Sequence, residues 1–203
     1  MEQGTPEWFK ARAGKVTASR IADVIAKTKS GYAASRANYC AQLVVECLTG
    51  EVAESFTNAA MQHGIDTEPK ARNAYSARTG ELVDQVGFFV HPRIEQSGAS
   101  PDGAVGAEGL VEIKCPNTAT HIETLLDKAP ANKYLFQMQW QMACANRAWC
   151  DFVSFDPRMP EKMRLFVLRV PRDDKLIAEV EKEVIAFLAE VNAKVEQLMK
   201  ETA

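Results

Sequence analysis

The sequence predicts an α/β fold with a central mixed β-sheet of about five strands flanked by helices. Three observations support this class. Helical periodicity dominates the first 79 residues, short apolar runs bounded by Gly and Pro follow, and an amphipathic helix ends the chain. A length of 203 residues suits one hydrophobic core. We therefore predict a single domain over 1–203, with a helical part at 5–79, a sheet core at 82–170 and a C-terminal helix at 173–201.

The composition is that of an ordinary globular protein. Hydrophobic residues make up 46% of the chain, and no apolar run approaches the roughly 20 residues that a membrane span requires. The first residues lack the basic and apolar regions of a signal peptide, so we expect a cytoplasmic protein without a membrane partner. The five cysteines contain no CxxC pair and indicate reduced thiols. Neither they nor the three histidines have the spacing of a zinc or iron–sulfur site.

Charge is distributed unevenly along the chain. Residues 8–36 carry seven Lys or Arg against one acid, whereas residues 173–203 carry eight acids against four lysines. A net charge of −3 argues against nonspecific coating of nucleic acid, but this distribution would suit one basic face toward phosphate and an acidic back. Chance clustering on a solvated surface explains the same counts equally well.

In the N-terminal part we predict three helices, at residues 6–12, 18–26 and 35–49. Thr5 and Pro6 are typical cap and first-turn residues for the first of them. Ser19 lies near the N-terminus of the second, where unpaired N–H groups favour an anion. Together with Arg12 just before that helix, Ser19 could form a phosphate pocket, although a plain helix cap explains Ser19 better when it is taken alone.

A long helix is predicted at residues 58–79, with Glu68 followed directly by Pro69. Proline lacks an N–H and crowds the preceding turn, so we expect a kink or a restart that would aim Glu68 at the sheet. For a helical glutamate taken alone, an ordinary surface position is the better explanation.

The remaining elements are predicted from apolar runs and their periodicity. We place strands at 82–90, 96–100, 110–115, 149–155 and 164–170, and helices at 119–128, 133–146 and 173–201. On the second of these helices, Tyr134 and Gln137 share a face, and Gln141 follows Gln137 by four residues. Such a row of glutamines forms either a surface stripe or the lining of a site, and periodicity does not decide between them.

The strand at 110–115 carries two charged residues inside an apolar run. Because side chains alternate along a strand, Glu112 and Lys114 point to one face and Ile113 to the other. Asp102 follows a Ser-Pro turn signal, and a hairpin through the 106–109 loop would bring it beside Glu112. Two carboxylates and a lysine on one sheet edge suit a hard divalent cation, with the lysine free to act on water. A Glu-x-Lys triplet alone is common and carries little weight.

Seven ordered blocks support a family resemblance: Trp8-x3-Arg12, Thr17-Ala18-Ser19, Gly64-x3-Glu68, Ser100-Pro101-Asp102-Gly103, Glu112-Ile113-Lys114-Cys115-Pro116, Tyr134-x2-Gln137-x-Gln139 and Asp156-Pro157-Arg158-Met159. The fourth and fifth form the signature of PD-(D/E)xK nucleases, which have a restriction-endonuclease-like core. The whole order resembles the YqaJ-type viral recombinase nucleases, the family of phage lambda exonuclease. The resemblance extends from Trp8 to about the start of the last helix.

The resemblance implies a processive exonuclease that digests linear double-stranded DNA from the 5′ end and leaves 3′ single strands for annealing recombination. It implies two Mg²⁺ ions per site, for which Mn²⁺ can substitute, a homotrimeric ring around DNA and a single-strand annealing protein as partner, in a bacterial or phage-infected cell. By position, the resemblance implies metal ligands at Asp102, Glu112, Glu68 and the Ile113 carbonyl, catalytic roles for Lys114, Gln137 and Tyr134, a 5′-phosphate pocket of Arg12, Ser19 and Ser100, and a DNA wedge at Met61.

Two alternatives keep the same fold. One is a non-catalytic module that binds DNA ends or acts as a scaffold for an annealing protein, although every motif position holds a competent residue type. The other is a nicking or repair endonuclease. Release of nucleotides from linear duplex and cutting of closed circles distinguish the three.

Overall fold

The computed structural model describes residues 2–52 and 59–201. The N-terminal part consists of α1 (Pro6–Arg12), β1 (Val16–Thr17), α2 (Ile21–Ile25), β2 (Lys27–Thr28), β3 (Gly31–Tyr32), α3 (Ala34–Thr49) and α4 (Ala59–Thr79). Next come β4 (Val83–Asp84), β5 (Phe89–Val90), β6 (Ser97–Ala99), β7 (Gly103–Val105), β8 (Gly109–Lys114), α5 (Thr118–Asp127), α6 (Asn132–Ala145), β9 (Trp149–Phe155), β10 (Leu165–Pro171) and α7 (Asp174–Glu201). Asn58, the predicted first residue of the long helix, lies outside the described residues.

Five strands form the central mixed sheet, in the order β10-β9-β8-β7-β4. β8 and β9 are parallel, with Lys114 opposite Ser154, and the other neighbours are antiparallel. A parallel pair requires a long crossover, which α5 and α6 provide between β8 and β9. The predicted α/β class with a five-stranded mixed sheet flanked by helices is confirmed.

Helices cover both faces of this sheet, and β8 divides its side chains between them. One apolar cluster joins Val111 to Tyr75 of α4, and another joins Leu110 to Met138 of α6. Because strand side chains alternate, Glu112 shares the face of Leu110 and points toward α6.

The single strand predicted at 82–90 is wrong. β4 ends at Asp84 and pairs with β7, whereas β5 begins at Phe89 and belongs to a second sheet of order β1-β6-β5. The predicted strand at 96–100 is β6 of that second sheet. A β-carbon at Gly98 would lie only 2.2 Å from the Phe88 ring, so this close approach of the two segments requires a glycine.

The single helix predicted at 18–26 is also wrong. Residues 18–20 form a 3-10 turn, and the backbone of Arg20 (φ −108°, ψ 3°) separates this turn from α2. The turn follows directly on β1, in which Thr17 pairs in parallel with Gly98 of β6. The segment around residue 30 forms the short hairpin of β2 and β3.

The C-terminal helix α7 packs against the N-terminal helices α2 and α3. Val184, Phe187 and Val191 are fully buried against residues of α2 and α3. Ion pairs also join α7 to basic residues elsewhere, among them Glu183–Lys27, Glu190–Arg36 and Glu181–Arg93. Two of the seven basic residues of 8–36, Lys27 and Arg36, thus contact acids of the C-terminal helix, so these two do not lie on a face separate from the acidic residues.

All five cysteines are free thiols. Among the described helices, none is both long enough and apolar enough to cross a membrane.

Candidate active site

The hairpin of β7 and β8 brings Asp102 to the middle of β8. Gly103 pairs with Val111, and the Asp102 carboxylate immediately before it accepts a hydrogen bond from the Ile113 amide at 2.6 Å. A β-carbon at Gly103 would lie 2.2 Å from the Val83 side chain, so the close packing of β4 against β7 at this position requires a glycine. The predicted hairpin approach of Asp102 to the Glu-x-Lys strand is therefore present.

Glu112 is a fully buried carboxylate that three side chains satisfy. Gln137 donates to its Oε1 at 2.6 Å and Gln141 to its Oε2 at 2.5 Å, both from α6. Lys114 forms an ion pair with Oε1. Because a buried charge is costly unless it is paired and hydrogen-bonded, these three contacts offset the cost of burying the Glu112 carboxylate.

Lys114 contributes a charged amine at the rim of the same site. Its side chain is 27% exposed, and Nζ lies 5.2 Å from the centre of the Tyr134 ring. Burial alone disfavours the charged amine, but the Glu112 and Asp102 carboxylates outweigh it and raise the pKa of Lys114. The two carboxylates therefore favour the ammonium form of Lys114 in this site.

Glu68 reaches the site from α4. Its carboxylate pairs with Arg72 at 2.5 Å, and the same guanidinium nitrogen lies 3.5 Å from the Asp102 carbonyl oxygen. Of the kink or restart expected at Pro69, the restart is absent, because α4 continues through this proline. Glu68, Arg72 and Asp102 line one cleft of about 610 Å³, together with Ile65 and residues near the N-terminus.

The three acids interact electrostatically. Burial raises the pKa of Asp102 well above its usual range, and Glu112 and Glu68 raise it further against the opposing Lys114 ammonium. Burial also raises the pKa of Glu68; Arg72 opposes this change and Glu112 adds to it. The site therefore holds negative charge that its own lysine and arginine do not fully compensate.

The donor chemistry of these residues fits a hard divalent cation such as Mg²⁺, which prefers carboxylate and carbonyl oxygens and would relieve their repulsion. Within residues 2–52 and 59–201, no three His, Cys, Asp or Glu side chains already converge as a metal site. Lys114 and Gln137 occupy one oxygen of Glu112, and the Ile113 amide occupies one of Asp102. A bound cation would replace some of these contacts.

The predicted phosphate pocket is only partly assembled. Arg12 donates to Ser100 Oγ at 3.3 Å, and Trp8 donates to the same oxygen at 2.9 Å while its ring lies 4.1 Å from the Arg12 guanidinium carbon. Ser19 is exposed and lies 3.4 Å from Thr17 Oγ1. Thr17 and Gly98 are paired in the parallel register of β1 and β6. Ser19 lies two residues after Thr17, and Ser100 lies two residues after Gly98.

Met61, the predicted wedge, lies in the first turn of α4. Its side chain is 46% exposed, and its spacing from Ile65 and Glu68 places all three on one side of the helix. The position agrees with a contact to a ligand in the cleft, and the wedge itself stays a prediction.

Three residues that contact the site were not among the site residues predicted from the sequence. Arg72 pairs with Glu68, Gln141 donates to Glu112, and Trp8 shares Ser100 with Arg12. Arg72 and Gln141 each follow a predicted site residue by four positions on a helix, and this spacing was the available signal.

Comparison with known proteins identifies the family. The YqaJ-like viral recombinase domain matches residues 7–148, which include the β7–β8 hairpin and α6. The chain belongs to this family. A comparison with curated proteins finds no match.

Solved structures agree with this membership. The chain is similar to an alkaline exonuclease (LHK-Exo) from Laribacter hongkongensis, with 56% identity, 98% of each chain covered and a TM-score of 0.91. The same figures apply to a structure of LHK-Exo in complex with dAMP. A phage related exonuclease from Haemophilus somnus 129PT shares the fold at 19% identity, with a TM-score of 0.72 over 93% of this chain and 96% of that one. These relationships support a nuclease that acts on DNA as an exonuclease.

Proposed function

We propose that this YqaJ-like nuclease is a Mg²⁺-dependent exonuclease that digests one strand of linear double-stranded DNA from the 5′ end and leaves a 3′ overhang. The observation that supports this most is the convergence of Asp102, Glu112 and Lys114 on one edge of the sheet, with Glu68 approaching from α4. Three acids that interact electrostatically, with one ammonium group beside them, suit hydrolysis of a phosphodiester.

Asp102, Glu112, Glu68 and the Ile113 carbonyl would hold two magnesium ions, and Mn²⁺ could replace them. Bound there, the ions would supply Lewis-acid activation of water and compensation of negative charge. The Lys114 ammonium stabilises the charge that develops on the phosphate. Gln137 holds the Glu112 carboxylate, and Tyr134 lies beside the lysine.

The direction of digestion would come from binding of the 5′ phosphate at Arg12, which contacts Ser100. A guanidinium recognises phosphate well because its donors form a rigid fork, and the Trp8 ring supports this one. Ser19 would complete the pocket from the end of the neighbouring strand. A 5′ phosphate anchored there would define which bond reaches the acids.

The remaining parts of the proposal concern assembly. The chain would form a homotrimeric ring around DNA, Met61 would part the terminal base pair, and a single-strand annealing protein would receive the 3′ strand in the cytoplasm of a bacterial or phage-infected cell. Enclosure of the duplex would make digestion processive.

The central experiment follows a linear duplex that carries different labels at its 5′ and 3′ ends, with and without Mg²⁺. We expect early release of the 5′ label and late release of the 3′ label, in Mg²⁺ only.

Asp102→Asn should slow release by more than the roughly 10–100-fold that residues supporting a metal ligand contribute. Full activity of this variant would refute the assignment. Cutting of closed circles would instead favour an endonuclease, and binding without release a non-catalytic module.

The same assay tests the phosphate pocket. Arg12→Ala should slow digestion from 5′-phosphorylated ends by about 10–100-fold, the equivalent of one hydrogen bond to a charged group. Ends with a 5′ hydroxyl should be affected far less. Lys10→Ala, an exposed change on the same helix, is the matched control. Equal slowing on both kinds of end would contradict the pocket.

A further inference from the structure

Gln141 holds the oxygen of Glu112 that faces away from the lysine. It lies on α6 one turn after Gln137, and its side chain is fully buried. Gln141 Nε2 donates to Glu112 Oε2 at 2.5 Å, whereas Gln137 and Lys114 both bind Oε1. The two amides thus hold the carboxylate at both of its oxygens.

The environment of Gln141 makes its contact with Glu112 strong and directional. Both side chains are shielded from solvent, so water does not compete for the bond. A hydrogen bond to an ionised acceptor is shorter and stronger than one between neutral groups. Residues four apart on a helix share a face, so α6 places the amides of Gln137 and Gln141 side by side. A single rigid helix therefore determines the plane of the carboxylate.

The other end of the Gln141 amide is not satisfied. Its Oε1 is buried and, among the described residues, has no hydrogen-bond partner. Turning the amide over would aim this oxygen at the Glu112 carboxylate, which would repel it. An apolar side chain of similar size, as at the neighbouring positions Met138 and Met142, would leave no orphan acceptor. Packing alone therefore does not account for a glutamine at this position, but its bond to Glu112 does.

We propose that Gln141 is a positioning residue for divalent metal binding, which fixes the orientation in which Glu112 presents its carboxylate to the cation. This inference rests on the proposed function, in which Glu112 is a metal ligand. Partners that orient a ligand from behind typically contribute 10–100-fold to metal affinity or activity.

The test measures Mn²⁺ binding to the full chain by titration calorimetry without DNA. Gln141→Met should weaken Mn²⁺ binding by about 10–100-fold. Gln139→Met is the matched control, because Gln139 lies on the same helix, is almost as deeply buried and bonds Pro171 and Asp173 instead. It should lower the melting temperature but leave Mn²⁺ affinity within about twofold, since its bonds do not reach Glu112. A merely structural role for Gln141 would make the two variants alike.

Two further variants keep the outcomes distinct. Glu112→Gln should abolish most Mn²⁺ binding; if it does and Gln141→Met binds like the native chain, the positioning role is overturned while the proposed function stands. Unchanged binding by Glu112→Gln would instead overturn the metal site itself. If circular dichroism shows that Gln141→Met is unfolded, Gln141→Asn replaces it, because its shorter side chain withdraws the amide from Glu112 and should weaken Mn²⁺ binding similarly.

Discussion

The acids of the site are held together at a cost in stability. Asp102 accepts a hydrogen bond from the Ile113 amide. Glu112 lies next to Ile113 on β8, which pairs with β7 in the same hairpin. Burial and the neighbouring carboxylates both raise the pKa of Asp102, which means that folding disfavours its ionised form. Such strain is common where groups are arranged for function rather than for stability.

Asp102→Asn should therefore stabilise the metal-free protein at neutral and alkaline pH. The folded pKa lies above the unfolded one, so ionisation costs stability as the pH rises from about 4, and the amide removes this cost. The amide oxygen can still accept from Ile113. The melting temperature at pH 8 should rise, by about 2–4 °C per kcal/mol gained, and the gain should vanish near pH 4. Asp84→Asn, an exposed change on the edge strand, is the control. A lower melting temperature at pH 8 would contradict the repulsion.

At the scale of elements, one buried polar contact ties α4 to the sheet. The Tyr75 hydroxyl donates to Asp151 Oδ2 at 2.7 Å, and both residues are buried. Arg169 from β10 donates to both oxygens of the same carboxylate at 2.9 Å and lies over the Trp149 ring. Since Glu68 lies two turns earlier on α4, this contact also fixes how that helix presents its acid to the site.

Tyr75→Phe should lower the free energy of unfolding by about 1–3 kcal/mol, because it removes a donor from a buried carboxylate. Urea denaturation measures the change. Tyr32→Phe is the matched control: Tyr32 also donates to a carboxylate, that of Glu183, but on an exposed hairpin. The control should leave the midpoint unchanged. A Tyr75→Phe midpoint equal to that of the native chain would show that the hydroxyl contact with Asp151 does not stabilise the packing of α4 on the sheet.

At the scale of the whole molecule, the proposed ring and its processivity make one joint prediction. Light scattering should give three times the 22.4 kDa of one chain. An excess of unlabelled duplex added after digestion has begun should not stop molecules already bound, because an enclosed duplex cannot exchange. A monomeric mass, or arrest on addition of competitor, would count against the ring.

Rules that depend only on neighbouring residues predicted much of the fold and of the candidate site. Alternation along a strand and the turn chemistry around Gly103 depend on neighbouring residues, so the sequence by itself determined that Asp102, Glu112 and Lys114 meet. Helix periodicity likewise predicted α3 and α7 to within one residue at each end. The same patterns predicted β8, β9 and β10 of the central sheet, whereas β7 was not predicted and the strand predicted at 96–100 belongs to the second sheet.

Only the tertiary structure decided which distant segments meet. The split between β4 and β5 depends on their partners β7 and β6, and the pairing of Glu183 with Lys27 joins residues far apart in the chain. Gln141 is one of several glutamines with the same local pattern, and only the packing of α6 on β8 directs its amide to Glu112. Local propensity is encoded over a few residues, whereas these contacts arise from packing between elements, which no short window of sequence contains.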